Sequence, residues 1–295
     1  MKKYIYILLA ICALSACQKQ QATPYLYEEG EMRISANYPG VDTKATESSF
    51  ETGDKIGLFV TEYDGETAPP LQISGNWASN IAATFNGSSW APAKRIFWSD
   101  GKMDVYGYYP YMTLRSVDDQ PFSIALDQTT EKSGETLGGY EASDFLWAKA
   151  VGVTSNDDEA KVNLAFKHIM SKLVVHLVKG PDYQGEFPDN GELYIHNLVP
   201  DALVDLARGE AIKDPYAAPQ TIRARQVSSD TFEAIIVPQR LDTRRPFLEY
   251  IANGVSFLLD DTFNFRTGYQ YIVNLTINAN PEQIAIEIGG ETGGW

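Results

Sequence analysis

Apolar and polar residues alternate with a period of two along much of the chain. In residues 271–278, Val273, Leu275 and Ile277 fall on one side of an extended chain and polar residues fall on the other, as in a half-buried strand. Residues 173–178 form a longer, largely β-branched run that suits a central strand. The two-residue alternation recurs near the C-terminus in Ile284, Ile286 and Ile288. These segments predict strands.

Dipeptides that favour tight turns separate these runs, because Asn-Gly and Asp-Gly supply the positive φ angles of hairpin turns. The clearest predicted hairpin joins residues 96–99 to residues 102–106 across Asp100-Gly101. Only residues 200–208 and 214–218 suggest short helices. The pattern therefore predicts an all-β sandwich or barrel. The other turn pairs are Asp64-Gly65, Asn86-Gly87, Asn190-Gly191 and Asn253-Gly254.

The N-terminus has the features of an export signal. Lys2 and Lys3 precede an apolar run over residues 4–13, which is too short to span a bilayer. The run leads to small residues just before Cys17, as in a bacterial lipobox, where cleavage after residue 16 leaves an acylated Cys17. The alternative is an ordinary signal peptide that contains a cysteine. Cys12 is lost with the signal in the lipobox interpretation, so the mature chain has no disulfide.

The net charge of the chain limits the classes of partner that it can bind. The formal net charge of −15 argues against binding to nucleic acid, which requires a basic face.

We expect a signal peptide over residues 1–16 and a lipidated tether over residues 17–44. Two β-sandwich domains follow over residues 45–170 and 171–295, divided by polar loops on either side of residue 170.

The sequence contains no recognisable catalytic or metal-binding motif. His168 and His176 are too far apart on one strand to share a metal, and His196 could approach one of them only in space. Adjacent acidic pairs point to opposite faces of a strand and are better explained as solvated turns. We therefore expect no enzyme activity, no metal and no cofactor.

Tyrosines cluster around Pro110 and leave two interpretations open. Exposed aromatic rings stack on sugars, so that Tyr108 and Tyr111 are candidate glycan contacts of a surface glycan-binding lipoprotein. Sandwich cores also bury aromatic rings in number, and this core interpretation is the alternative.

An ordered set of landmarks resembles the fimbrillin family of Bacteroidetes lipoproteins, subunits of type V pili. Each landmark alone is weak evidence for the family, but the ordered set is stronger evidence and extends over both proposed domains. The landmarks are Thr43-Lys44-Ala45-Thr46, the run from Phe50 to Phe59, the run from Met103 to Tyr111, the run from Ser143 to Ala148, the run from Leu164 to Leu173, and the run from Phe265 to Tyr271.

This resemblance implies a fold, a location and a mode of assembly. The fold is two tandem Greek-key, transthyretin-like β-sandwich domains after a lipoprotein signal peptide. The protein is expected on the outer membrane or cell surface as part of a fimbrium that serves adhesion. A trypsin-like maturation protease removes the first strand, and a strand from a neighbouring pilus subunit then fills the open groove.

The resemblance also implies roles for particular segments. The removable first strand corresponds to the alternation of Met32, Ile34 and Ala36. The cleavage point corresponds to Lys44-Ala45. The C-terminal alternation at Ile284, Ile286 and Ile288 is the candidate donor strand, and its alternative role is the last strand of its own domain.

The chain departs from the family at the cleavage point. The family often carries Arg there, whereas this chain carries Lys44. A strictly Arg-specific protease would not cut at Lys44, which leaves cleavage at Arg33 or no processing at all. An uncut protein would keep its groove closed and act as an anchor or terminal subunit.

Overall fold

Twenty strands and one short helix make up the regular structure of the described residues. The computed structural model describes residues 25–38, 49–156 and 161–295. The predicted all-β class is confirmed, because the single helix in these ranges has five residues. Cys17, Lys44 and Ala45 lie outside the described residues.

The elements follow one another in two groups on either side of residue 170. The first group is β1 (Arg33–Asn37), β2 (Lys55–Glu62), β3 (Ala78–Phe85), β4 (Trp90–Pro92), β5 (Met103–Tyr109), β6 (Gln120–Ser123), α1 (Gly139–Ser143), β7 (Leu146–Val153), β8 (Lys161–Ala165) and β9 (Lys167–His168). The second group is β10 (Ser171–Lys179), β11 (Glu192–Leu198), β12 (Asp201–Asp205), β13 (Glu210–Lys213), β14 (Gln220–Arg223), β15 (Arg225–Ser228), β16 (Thr231–Ile236), β17 (Gln239–Ala252), β18 (Val255–Phe265), β19 (Tyr269–Ile277) and β20 (Ala285–Gly293).

The first group builds a six-stranded sheet covered by a pair of strands. The sheet has the order β4-β3-β2-β5-β7-β9, and β1 pairs with β8 in a separate two-stranded sheet. Strand β5 is buried along its whole length. Its residues Met103, Val105 and Tyr109 face a smaller core beneath β1 and β8, whereas Tyr106 and Tyr108 face a larger core.

The second group forms two sheets that share the larger core. One has the order β15-β16-β10-β19-β20 and the other the order β14-β11-β17-β18. The predicted central strand over residues 173–178 is confirmed as part of β10, which lies in the middle of its sheet. Strand β19 buries Val273, Leu275 and Ile277, as the alternation predicts.

The two halves are joined by packing as well as by the chain. Strand β6 of the first half pairs with β12 of the second in the sheet β13-β12-β6. The Trp147 indole N–H of β7 donates to the Leu206 carbonyl over 2.7 Å. Phe59 and Tyr108 also enter the larger core with residues of the second half. The division at residue 170 falls between β9 and β10 and stays a prediction.

The predicted hairpin across Asp100-Gly101 is wrong. Strand β5 pairs with β2 and β7 instead. The residues that precede the turn form hydrogen bonds with the N-terminal segment. The Met32 N–H donates to the Ile96 carbonyl over 2.8 Å. The Asn253-Gly254 turn does join two paired strands, β17 and β18, and both of its residues have the expected positive φ.

The two suggested helices are also wrong. Residues 201–205 form β12, and the turn after them is held by the Asp205 carboxylate, which accepts from the N–H groups of Ala207 and Arg208. Asp214 accepts from the Tyr216 N–H in the same manner. These aspartates give the backbone a turn in place of a helix.

A substitution at Gly209 tests the junction between the halves. Gly209 has a φ of +68°, and a Cβ there would collide with the Trp147 ring. We expect Gly209→Ala to lower the free energy of unfolding by about 2 to 4 kcal/mol, through strain and overpacking. Urea denaturation measures the loss.

Gly65→Ala is the matched control. Gly65 has a φ of +60°, and a Cβ there would meet open space. Its cost is about 1 kcal/mol from the backbone alone. Equal losses in the two variants would contradict a packed junction at Trp147.

Candidate functional site

Strand β1 lies against β8 in a parallel ladder that begins at Arg33 opposite Lys161 and ends at Asn37 opposite Ala165. Its alternation is confirmed: Met32 is 0% exposed and Ile34 is 5% exposed. Both side chains enter the smaller core. The inward residues on the β8 side are Val162, Leu164 and Phe166. A short, separately paired strand therefore closes one side of this core.

Aromatic contacts hold the chain on both sides of the predicted cleavage point. The ring of Tyr38, just after β1, meets the ring of Phe50 at 5.1 Å. Phe50 also contacts Trp90 at 4.9 Å and Phe166 at 5.5 Å. Residues 39–48 connect these two anchored ends, and Lys44 and Ala45 fall among them.

A polar cluster fixes the segment before β1. We call it the N-terminal clasp and define it as Tyr25, Tyr27, Glu28, Glu31 and Arg95. The Glu31 carboxylate is buried and pairs with the Arg95 guanidinium. It also accepts from the Tyr25 hydroxyl and from the Glu28 N–H, each over 2.9 Å. The Tyr27 hydroxyl donates to the Trp90 carbonyl.

The clasp favours the neutral form of its tyrosine hydroxyl. Burial raises the pKa of Tyr25 to about 12, and the hydrogen bond to Glu31 acts in the same direction. The hydroxyl therefore remains a donor to Glu31 at physiological pH. The sequence gives no sign of the clasp, because Arg95 lies 64 residues from Glu31 along the chain.

The candidate donor segment forms an edge strand in its own chain. Strand β20 pairs antiparallel with β19 and lies at the end of the five-stranded sheet. Ile284 and Ile286 are partly buried against the larger core, and Ile288 is 62% exposed. In this structure the segment thus occupies the alternative position, the last strand of its own domain.

The far end of β20 is anchored between the two halves. The ring of Trp295 stacks on His168 with centroids 3.6 Å apart. Nδ1 of His168 lies 2.8 Å from the Asp144 carboxylate, and both side chains are buried. The Gly294 N–H donates to the Gly268 carbonyl. His168 therefore stabilises the packing of the C-terminus, through its contacts with Trp295 and Asp144.

His196 belongs to a polar chain across the four-stranded sheet. Its Nδ1 lies 2.9 Å from the Thr221 hydroxyl, and its Nε2 lies 3.0 Å from the Glu249 carboxylate. The second Glu249 oxygen accepts from Ser256. One residue comes from each of β14, β11, β17 and β18, so that we interpret the chain as cross-strand pairing on an open face. His176 contacts Thr231.

The described residues hold no cluster of three or more potential metal ligands. Nor does any helix among them have the length and apolarity needed to cross a bilayer.

The two candidate glycan contacts have different surroundings. Tyr108 is 1% exposed, and its hydroxyl lies 2.6 Å from the Asn80 side-chain oxygen and 2.8 Å from the Met112 carbonyl oxygen. Its ring therefore offers no face to a sugar. Tyr111 is 37% exposed. The other tyrosines of the cluster, Tyr106 and Tyr109, are buried.

The family model for fimbrillin-like proteins matches residues 43–295. The chain belongs to the fimbrillin-like family. The predicted resemblance is confirmed, and fimbrillin-like proteins are structural subunits of fimbriae rather than enzymes. A search among curated proteins finds no match.

Solved structures share the fold of this fimbrillin-like protein. A candidate cell adhesion protein from Bacteroides ovatus has a TM-score of 0.68 at 19% identity, with 91% of this chain and 98% of that chain covered. A candidate cell adhesion protein from Bacteroides uniformis has a TM-score of 0.63 at 20% identity, covering 88% and 98%. The tip fimbrial protein Mfa3 from Porphyromonas gingivalis, with a C-terminal truncation, has a TM-score of 0.50 at 10% identity, covering 88% and 98%.

A substitution in the clasp tests how firmly β1 is held. We expect Glu31→Gln to lower the free energy of opening of β1 by about 1 to 3 kcal/mol, because the buried carboxylate loses charge-assisted hydrogen bonds. Hydrogen-exchange mass spectrometry of residues 32–37 measures the change.

Glu28→Gln is the matched control for this substitution. Glu28 also pairs with Arg95, but its side chain is 61% exposed, so that the loss should stay below about 0.5 kcal/mol. Unchanged exchange in Glu31→Gln would show that the clasp does not hold β1.

Proposed function

We propose that this fimbrillin-like protein is a structural subunit of a cell-surface pilus and assembles with other pilus subunits by protease-triggered strand exchange. The observation that carries the proposal is the pairing of β1. Within the described residues its ladder runs to β8 alone, yet its inward side chains complete an apolar core. Such a strand leaves a specific gap when it is removed.

Cleavage at Lys44-Ala45 separates β1 from the rest of the chain. Departure of β1 leaves the backbone groups of β8 without their partner and exposes the sites of Met32 and Ile34. An incoming strand satisfies both the hydrogen bonds and the apolar sites. A second copy supplies that strand from β20.

The structure of β20 supports this donor role. It is an edge strand, and most of its side chains are exposed. Its removal releases the partly buried Ile284 and Ile286 from the edge of the larger core and Trp295 from its stacking on His168. The neighbouring β19 keeps its pairing with β10 over eight residues. The donor can leave while the sandwich behind it stays folded.

The clasp controls the timing of the exchange. After cleavage, β1 is held by non-covalent contacts alone, among them the buried Glu31–Arg95 pair. A cut subunit thus retains β1 until a donor displaces it, which protects the apolar groove from aggregation. Arg33 lies within the ladder of β1, so that a protease reaches its peptide bond only after the strand opens.

The site of assembly follows from the N-terminus. An acylated Cys17 tethers the exported chain to the outer membrane, where a trypsin-like maturation protease acts on Lys44. Cleavage frees the subunit from its lipid. An uncut copy stays attached and acts as the anchor.

Proteolysis of the lipid-free protein, starting at Gln18, tests the mechanism. We expect a trypsin-like protease to cut at Lys44-Ala45 and to produce a ladder of oligomers, since only the cut opens the groove. Intact-mass analysis and size-exclusion chromatography follow both events. Lys44→Ala is the control and should stay monomeric under the same treatment. A correctly cut protein that remains monomeric would refute strand exchange.

Substitution of the lipid site tests the anchor in the producing bacterium. We expect Cys17→Ser to abolish acylation and to move the protein from the membrane fraction to the soluble fraction, because the lipobox then lacks the thiol that is acylated. Mass spectrometry of the N-terminal peptide gives an independent measure. Cys12→Ser should retain the lipid. Membrane retention of Cys17→Ser would argue against the lipobox.

A further inference from the structure

We propose that the donor strand enters antiparallel to β8, with Glu287 of one copy directly opposite Lys161 of the next. The inference rests on the proposed strand exchange. It adds the direction, the register and a charge pair that distinguishes the donor from the strand that it replaces. The partner is a second copy of this chain.

The first observation is a mismatch in the ladder of the resident strand. Arg33 of β1 lies directly opposite Lys161 of β8, and both residues are exposed. Like charges at directly opposed positions destabilise a strand pair. The Arg33 guanidinium lies 5.9 Å from the Tyr27 ring of the clasp. The resident strand thus carries the unfavourable charge at the position facing Lys161.

The second observation is the match in apolar spacing. Met32, Ile34 and Ala36 occupy alternate positions on the inward side of the groove strand. The donor segment has three isoleucines with the same spacing, Ile284, Ile286 and Ile288. All three fill the three sites only when Ile286 takes the place of Ile34. A shift by two residues leaves one site empty and one isoleucine outside.

The direction of the donor then decides which residue faces Lys161. In the antiparallel arrangement Glu287 replaces Arg33, and the like-charge pair becomes an ion pair. In the parallel arrangement Ala285 faces Lys161, and Glu287 faces Asn163. Antiparallel ladders are also slightly more stable per residue. Both considerations favour the antiparallel entry.

The sizes of the sites agree with this direction. Ile288 takes the deep site of Met32, which is fully buried. Ile284 takes the site of Ala36, which is only partly buried, so that a larger side chain is accommodated at the rim. Glu287 lies opposite Asn274 in its own chain and is exposed there. Its carboxylate is therefore available to a neighbour.

Directed disulfide formation between two copies tests the register. The chain from Gln18 onward contains no cysteine, because Cys12 and Cys17 are the two in the sequence. Cut subunits carrying Lys161→Cys are mixed with subunits carrying Glu287→Cys under mild oxidation. We expect a covalent dimer, because directly opposed residues place their Cα atoms within the distance that a disulfide spans.

Asn163→Cys mixed with Glu287→Cys is the matched control, and it cross-links if the donor is parallel. A dimer from this pair alone would overturn the antiparallel direction. Oligomers that form without a cross-link in either mixture would overturn the register while leaving strand exchange intact. Failure to form oligomers at all would refute the proposed function, and the register with it.

Charge reversal provides a second, independent measurement on exposed residues. We expect Lys161→Glu in the acceptor, or Glu287→Lys in the donor, to slow assembly, and the two together to recover about two- to fivefold in rate. The changed attraction between residue 161 and Arg33 is common to both donors and cancels in this comparison. The recovery should shrink at high salt. Glu282→Lys lies outside the pairing and is the control; strictly additive effects would contradict the charge pair.

Discussion

The architecture of the first half depends on one constraint, the need of β8 for a hydrogen-bonding partner. A strand beside an apolar core has to satisfy its backbone groups and cover its neighbours at once. Strand β1 does both, through five paired positions and the buried side chains of Ile34 and of Met32 just before the strand. Within the chain β1 meets this need itself, and in the proposed strand exchange a strand of another molecule would meet it instead.

The clasp and the aromatic contacts stabilise different segments next to β1. Glu31 and Arg95 fix the segment before β1, while Tyr38 and Phe50 pack on either side of residues 39–48. A cut between Tyr38 and Phe50 would leave the contact between Glu31 and Arg95 intact. In the proposed mechanism, the cut β1 therefore remains bound to its own subunit by non-covalent contacts, and the donor strand competes with it for the same groove.

Local signals in the sequence predict local structure here, and long-range packing explains the misses. The alternation at Val273, Leu275 and Ile277 gives the buried face of β19, and Asn253-Gly254 gives a hairpin, because both depend on neighbouring residues alone. The Asp100-Gly101 pair is an equally strong turn signal. The residues before it form hydrogen bonds with the N-terminal segment, and the residues after it form β5, which pairs with β2 and β7. The candidate site shows the same division, since the strand at Met32 is visible in the sequence and the buried Glu31–Arg95 contact is not.

The burial of β5 on both faces has a mechanical consequence. Tyr106 and Tyr108 pack into the core of the second half, while Met103 and Val105 pack into that of the first. A pull on one half is transmitted to the other through many side chains as well as through the covalent chain. In a filament of such subunits each body behaves as a stiff segment. In the filament proposed above, extension under load would then be concentrated in the strand ladders between copies.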